Sequence, residues 1–172
     1  MKKSYYFAGM VVLVLFTLLI IGLFKSPSSI PSPLLGKPLP QISLELLFEK
    51  EKIENTLSAC TKPYCLVTIW ASWCASCVAE HAELVILSSQ PTIALIGITH
   101  QDTRDQAQEW INKRGNPYAK LFFDQEGNYG FLLGSYGVPE SFLLDKNKIV
   151  LHRWAGPVHA SEVLQLINTK TL

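Results

Sequence analysis

Residues 65–88 constrain the fold more than any other stretch. Cys65-Leu-Val-Thr-Ile-Trp70 is apolar nearly throughout, as expected of a central strand covered on both faces. Val78 to Ser88 has helical patterning, with Val78, Ala82, Val85 and Ile86 as its core stripe. Between strand and helix stands Trp73-Cys74-Ala75-Ser76-Cys77. Cys74 falls at the helix N-terminus, where unpaired N–H groups and the macrodipole favour a thiolate. Cys77 lies one turn further in, within reach of a mixed disulfide formed at Cys74. A thiol pKa of about 8.5 is expected to fall at such a position. The placement suits thiol–disulfide exchange, with Cys74 as nucleophile and Cys77 as resolving thiol.

The rest of the chain extends the same pattern. Gln41 to Phe48 partly alternates and reads as a first strand, whereas Glu49 to Thr61 is polar and stays unassigned. Pro91 ends the first helix, and Ile93–Ile98 is a second buried strand. Thr103-Arg-Asp-Gln106 fits a capping box for a second helix, whose stripe is Ala107, Trp110 and Ile111; Gly115-Asn-Pro117 stops it. Leu121–Phe123 is a short strand, and 124–128 reads as a turn. Glu140–Leu144 and Ile149–Trp154 form a hairpin across Asp145-Lys-Asn-Lys148. Val163, Leu166 and Ile167 mark a final helix. No internal repeat is evident. Parallel β-α-β followed by a hairpin and a helix predicts a three-layer α/β domain.

The N-terminus bears on compartment. Lys2 and Lys3 precede an uncharged, mostly apolar run from Ser4 to Phe24, ended by Lys25. About 20 helical residues cover about 30 Å, the thickness of a bilayer core. Tyr5, Tyr6 and Phe24 stand near its two ends, where aromatic anchors belong. A cleaved signal peptide is the alternative, but the run is long for one and no small-residue cleavage site follows. An uncleaved anchor is favoured, its lysines placing the N-terminus in the cytoplasm and the domain outside. The expected organisation is 1–25 cytoplasmic tip and anchor, 26–40 a spacer with five prolines, and 41–172 the folded domain. A net charge of +1, with scattered Lys and Arg, argues against nucleic acid.

Trp70-Ala-Ser-Trp-Cys74-Ala-Ser-Cys77 followed by Glu80-His81 resembles the thioredoxin superfamily. Within it the chain is similar to the CcmG/DsbE family, the membrane-anchored thioredoxin-like proteins of cytochrome c maturation. Trp110 to Tyr118, Tyr136-Gly-Val-Pro139-Glu140-Ser-Phe-Leu-Leu-Asp145 and Ile149 to Gly156 carry the narrower likeness. The resemblance implies a thioredoxin fold, a central mixed sheet flanked by helices, with an N-terminal transmembrane helix. It implies a periplasmic reductant on the inner membrane, without a cofactor. Such a protein keeps apocytochrome c cysteines reduced, directly or through a partner thiol protein. Its electrons come from a transmembrane thiol carrier of the DsbD/CcdA kind. A drained periplasmic dithiol needs such a donor, and tethering raises effective concentration. A monomer is expected.

The resemblance also distributes roles. Pro139 is the family's cis-proline facing the disulfide; it and Val138 would receive a substrate strand. Trp73 shields the pair. Glu140 is the acidic residue beside the site and is assigned proton relay to Cys77. Glu80 is a weaker candidate, read as a helix-surface charge. Six residues before the nucleophile, where thioredoxin has a buried aspartate, stands Thr68. Cys60 and Cys65 depart from the family pattern. Pairing Cys60–Cys65 beside Cys74–Cys77 is favoured among the three pairings, but a structural staple and two unpaired thiols both stay open. No metal is expected: a zinc ribbon needs a second Cys-x-x-Cys. His81 is read as a helix-surface residue, although Cys74, Cys77 and His81 would serve a metallochaperone. A reductase of other periplasmic substrates and a non-catalytic peptide-binding module are the remaining rivals.

Overall fold

A computed structural model describes residues 2–24 and 32–170 of the chain. The chain forms two compact units, one within 1–30 and the other within 31–172. The described residues of the first form one helix, α1 (Lys2–Phe24). Its described side chains, Tyr6 and residues 9–21, are exposed. Among the described residues no helix is long and apolar enough to cross a membrane. The side chains of Lys2, Lys3, Tyr5 and Phe24, Lys25 at the end of the expected anchor, and residues 26–31 of the expected spacer lie outside the described residues.

The second unit is built on one sheet. Its strands are β1 (Ser43–Leu46), β2 (Ile53–Asn55), β3 (Tyr64–Trp70), β4 (Ile93–Thr99), β5 (Lys120–Phe123), β6 (Glu140–Leu144) and β7 (Val150–Ala155). They lie in the order β2-β1-β5-β4-β3-β6-β7. β3, β4 and β5 are parallel neighbours, and β6 runs antiparallel to β3. The sheet is therefore mixed, as expected. Every residue of β3 after Tyr64 and every residue of β4 is buried, which is why both read as continuous apolar runs.

The helices are α2 (Ala75–Ser88), α3 (Arg104–Arg114), α4 (Asn128–Leu132) and α5 (Ala160–Lys170). Both parallel crossovers advance the same way across the sheet, so α2 and α3 cover one face. Leu66 and Trp70 of β3 pack there with Leu84, Leu87, Trp110, Ile111 and Val163. Cys65, Val67 and Ile69 point to the other face, which Leu39, Leu57, Tyr129 and Leu133 cover. Thr103 caps α3 as its sequence requires, its side chain accepting from Gln106 N–H.

Three expectations change. The apolar stripe on α2 is not its core face: Val78, Val85 and Ile86 are exposed, and Cys77, Glu80, His81, Leu84 and Leu87 are buried. Two polar residues on the inner face hid it from a search for apolar spacing. The expected turn at 124–128 leads into the short helix α4. The spacer, expected to run to residue 40, has its last part inside the folded unit. Gly36 N–H donates to Val150 O, Val150 N–H to Lys37 O and Leu39 N–H to Lys148 O, each at 2.9 Å, and Leu39 is buried. Prolines are tolerated beside the edge strand β7 because their missing N–H groups break no ladder.

Candidate active site

β3 ends at Trp70, and the chain turns sharply into α2. Cys74 is the N-cap of that helix, with extended backbone (φ −84°, ψ 109°). Its Sγ accepts the Cys77 N–H at 3.0 Å and lies 3.4 Å from Ser76 Oγ. A helix-terminal N–H aimed at sulfur is the arrangement that stabilises a thiolate there. Cys74 and Cys77 are joined in a disulfide, with Cα atoms 5.3 Å apart. Both residues are nearly covered, at 4 % and 3 % exposure, while Trp73, Ala75 and Ser76 around them are exposed.

The turn is pinned from the β4–α3 connection. Asp102 accepts Ser72 N–H at 2.6 Å on one oxygen, and Ser72 Oγ at 2.8 Å on the other. Trp73 Nε1 donates to Gln101 O at 3.0 Å. Sequence reasoning missed Asp102, because a carboxylate 28 residues beyond Cys74 carries no local signal.

On the other side lies the chain entering β6. The Val138–Pro139 peptide is cis. Ile69 pairs with Glu140, so the same register sets Pro139 opposite Trp70, four residues before Cys74. Gly156 N–H donates to Pro139 O at 2.9 Å. Among the described residues the Val138 N–H and C=O have no hydrogen-bond partner, and its side chain is half-buried.

Two carboxylates lie beneath these loops. Glu80 is one helical turn beyond Cys77, on the same inner face of α2, and is 1 % exposed. Its Oε1 accepts from Ser141 Oγ and from Val158 N–H, both at 3.4 Å; its Oε2 has no partner among the described residues. Burial pushes its carboxyl up to about 7, against the opposing effect of those two hydrogen bonds. Ser141 Oγ is also 3.0 Å from Thr68 Oγ1, so the threonine standing where thioredoxin has an aspartate is linked through one hydroxyl to Glu80. Glu140 is equally buried but differently engaged. It forms a buried ion pair with Arg153 and accepts from Ser135 Oγ at 3.0 Å and Tyr136 N–H at 3.2 Å.

Residues 34–167 match the Redoxin family. The thiol:disulfide interchange protein DsbE of Vibrio cholerae is 40 % identical over 134 residues, covering 78 % of this chain and 72 % of that protein. DsbE of Escherichia coli K12 is 39 % identical over 133 residues, covering 77 % and 71 %. The chain belongs to the Redoxin family, with the DsbE proteins. It is a thiol:disulfide oxidoreductase. Among solved structures, a DsbE-like protein from Chlorobium tepidum superposes with a TM-score of 0.68 at 22 % identity, covering 82 % of this chain and 98 % of its own. A secreted thiol-disulfide isomerase from Corynebacterium glutamicum gives 0.69 at 25 %, covering 83 % and 93 %. These two likenesses support the thioredoxin-like fold.

Against that family background, the surface reading of Glu80 is corrected. Glu80 shares a helical face with Cys77, Leu84 and Leu87; the spacing was legible once Cys77 was placed inward. The surface reading of His81 is corrected too. It is 8 % exposed, its Nε2 is 3.0 Å from Arg114 O, and its ring stands edge-on to Trp110. That bond commits one ring nitrogen to α3. Cys60 and Cys65 form a second disulfide, on the sheet face opposite Cys74 and Cys77. Cys65 belongs to β3, which reaches the active-site turn at its far end.

Proposed function

We propose that the chain is an anchored periplasmic reductant serving cytochrome c maturation, with Cys74 attacking and Cys77 resolving. The observation that carries the reading is Cys74 as the N-cap of α2, its sulfur receiving the Cys77 N–H beside a strand edge left open at Val138. In the reduced protein the Cys74 thiolate attacks one sulfur of a partner disulfide. That bond breaks, its other sulfur leaves as a thiolate and takes a proton, and a mixed disulfide remains. Cys77 loses its proton and attacks the Cys74 sulfur. The second partner thiolate departs, Cys74–Cys77 closes, and two electrons have passed to the partner. Glu80 takes the Cys77 proton, because it is buried one turn away with a carboxyl pushed up to about 7. Val138 and Pro139 receive the partner as an added strand, and Trp73 lies exposed at the rim.

The compartment rests on the sequence. Ser4 to Phe24 holds no charged residue, and the 23 residues of α1 would reach about 34 Å at 1.5 Å each. Lys2 and Lys3 favour a cytoplasmic start. The electron donor is a transmembrane thiol protein of the DsbD/CcdA kind, and the acceptor is apocytochrome c or its partner thiol protein. A Cys77→Ala variant expressed in cells tests the reading: covalent capture of apocytochrome c or that partner is expected. Capture of unrelated proteins alone would move the chain to a general periplasmic reductase.

A further inference from the structure

The loop 134–139 gives the exchange site its open strand edge, and its shape is fixed from below. We propose that Arg153, through its buried ion pair with Glu140, is the positioning residue that holds this loop for a partner polypeptide. The proposal deepens the strand-addition reading of Val138.

The two side chains are 4 % and 2 % exposed. Arg153 Nε donates to Glu140 Oε1, and its Nη2 donates to Gly134 O at 3.0 Å. The guanidinium lies 4.8 Å from the Tyr136 ring centroid and 5.7 Å from that of Phe142. Glu140 Oε2 accepts from Ser135 Oγ and Tyr136 N–H. Three consecutive loop residues are thus tied to one ion pair, and the Gly156 N–H fixes the far end at Pro139 O. Within 134–139, Val138 has neither its N–H nor its C=O paired among the described residues.

A buried ion pair is a poor way to gain stability, since desolvation offsets much of the attraction. Its geometric demands are another matter. A planar fork with directed N–H groups fixes positions that an apolar contact leaves loose. Here those positions belong to the segment that a partner strand would meet. Both oxygens of Glu140 are engaged with the loop and the arginine. Arg153 therefore governs partner binding and leaves sulfur chemistry alone.

The test compares two substrates with the pre-reduced full-length protein in detergent micelles, each followed through a single turnover, so that KM is the half-saturating concentration and kcat the limiting rate. One is a synthetic peptide bearing an oxidised Cys-Xaa-Xaa-Cys-His loop. The other is the small disulfide 5,5′-dithiobis(2-nitrobenzoate), which needs no strand edge. For Arg153→Met, KM for the peptide rises about tenfold, as expected for a shifted docking edge, with kcat and the small-disulfide rate within about twofold. Arg153→Lys restores part of the KM. The pH profile of the small-disulfide reaction keeps its midpoint. If the single variant unfolds, Arg153→Gln, which keeps side-chain donors towards Glu140 without the charge, is read by the same comparison. Equal losses on both substrates, a moved pH midpoint or an unchanged peptide KM would overturn the proposal. The Cys77→Ala trap can succeed while this comparison fails, so the two readings fall separately.

Discussion

Replacing Glu80 with Gln tests the buried acid directly. A carboxyl near 4.5 in the unfolded chain is pushed up to about 7 in the native protein. Below pH 4.5 both states hold the proton, and above 7 neither does. Between those limits the folded state binds the extra proton, so stability falls as pH rises. At 1.36 kcal/mol for each pH unit, the window from 4.5 to about 7 amounts to about 3 kcal/mol for a group this covered. Glutamine keeps the size and one acceptor for Ser141 and Val158 but has no proton to lose. Urea unfolding of the oxidised protein at pH 4.5 to 8.5 should show wild type losing about 3 kcal/mol more than Glu80→Gln across that range. Subtracting the two curves removes every other titrating group. Parallel curves would refute the argument, since a carboxyl at its ordinary pKa contributes no slope above pH 6. In the reduced protein the same substitution should slow resolution by Cys77 about 100-fold near pH 7, seen as accumulated mixed disulfide in rapid-quench experiments.

The Cys60–Cys65 disulfide closes a short loop with a sequence separation of 5. Cys60→Ala/Cys65→Ala should lower unfolding stability by about 2 kcal/mol and leave the Cys74 exchange rate unchanged, because the pairs occupy opposite faces of the sheet. A rate change of tenfold would mean the pairs communicate. Asp102→Ala removes both acceptors of Ser72 and should cost about 1–3 kcal/mol in denaturant unfolding. Amide exchange at Ser72 and Trp73 should accelerate in the same variant; unaltered protection there would show that Asp102 does not hold the turn.

What the sequence disclosed follows from how local each determinant is. β3, the redox pair and the α3 cap depend on residues within one turn or strand of each other, so their spacing alone reveals them. The Pro139 assignment came from a motif of adjacent residues. The inner face of α2 did not, because two stripes fit the helical period. One runs through Val78, Ala82, Val85 and Ile86; the other runs through Cys77, Glu80, His81, Leu84 and Leu87. Hydrophobicity prefers the first. The fold takes the second, because β3 delivers the chain to α2 with Cys77 turned towards the sheet. Arg153 and Asp102 were illegible for a different reason: each acts on a loop from another element, and only the sheet order brings them there.

The swap of faces on α2 and the roles of the two carboxylates have one origin. Once Cys77 faces inward, the next inward position belongs to Glu80, and a carboxyl placed there is desolvated whatever else surrounds it. Glu140 is buried to the same degree but meets Arg153 and two loop donors, so its burial is compensated by charge and hydrogen bonds. Glu80 meets only two long hydrogen bonds and keeps one oxygen unpartnered among the described residues. The two carboxylates are thus equally buried and unequally partnered. In the mechanism proposed here that difference divides the labour beneath the disulfide: Glu80, behind Cys77, takes the proton, and Glu140, beside Pro139, holds the loop with Arg153.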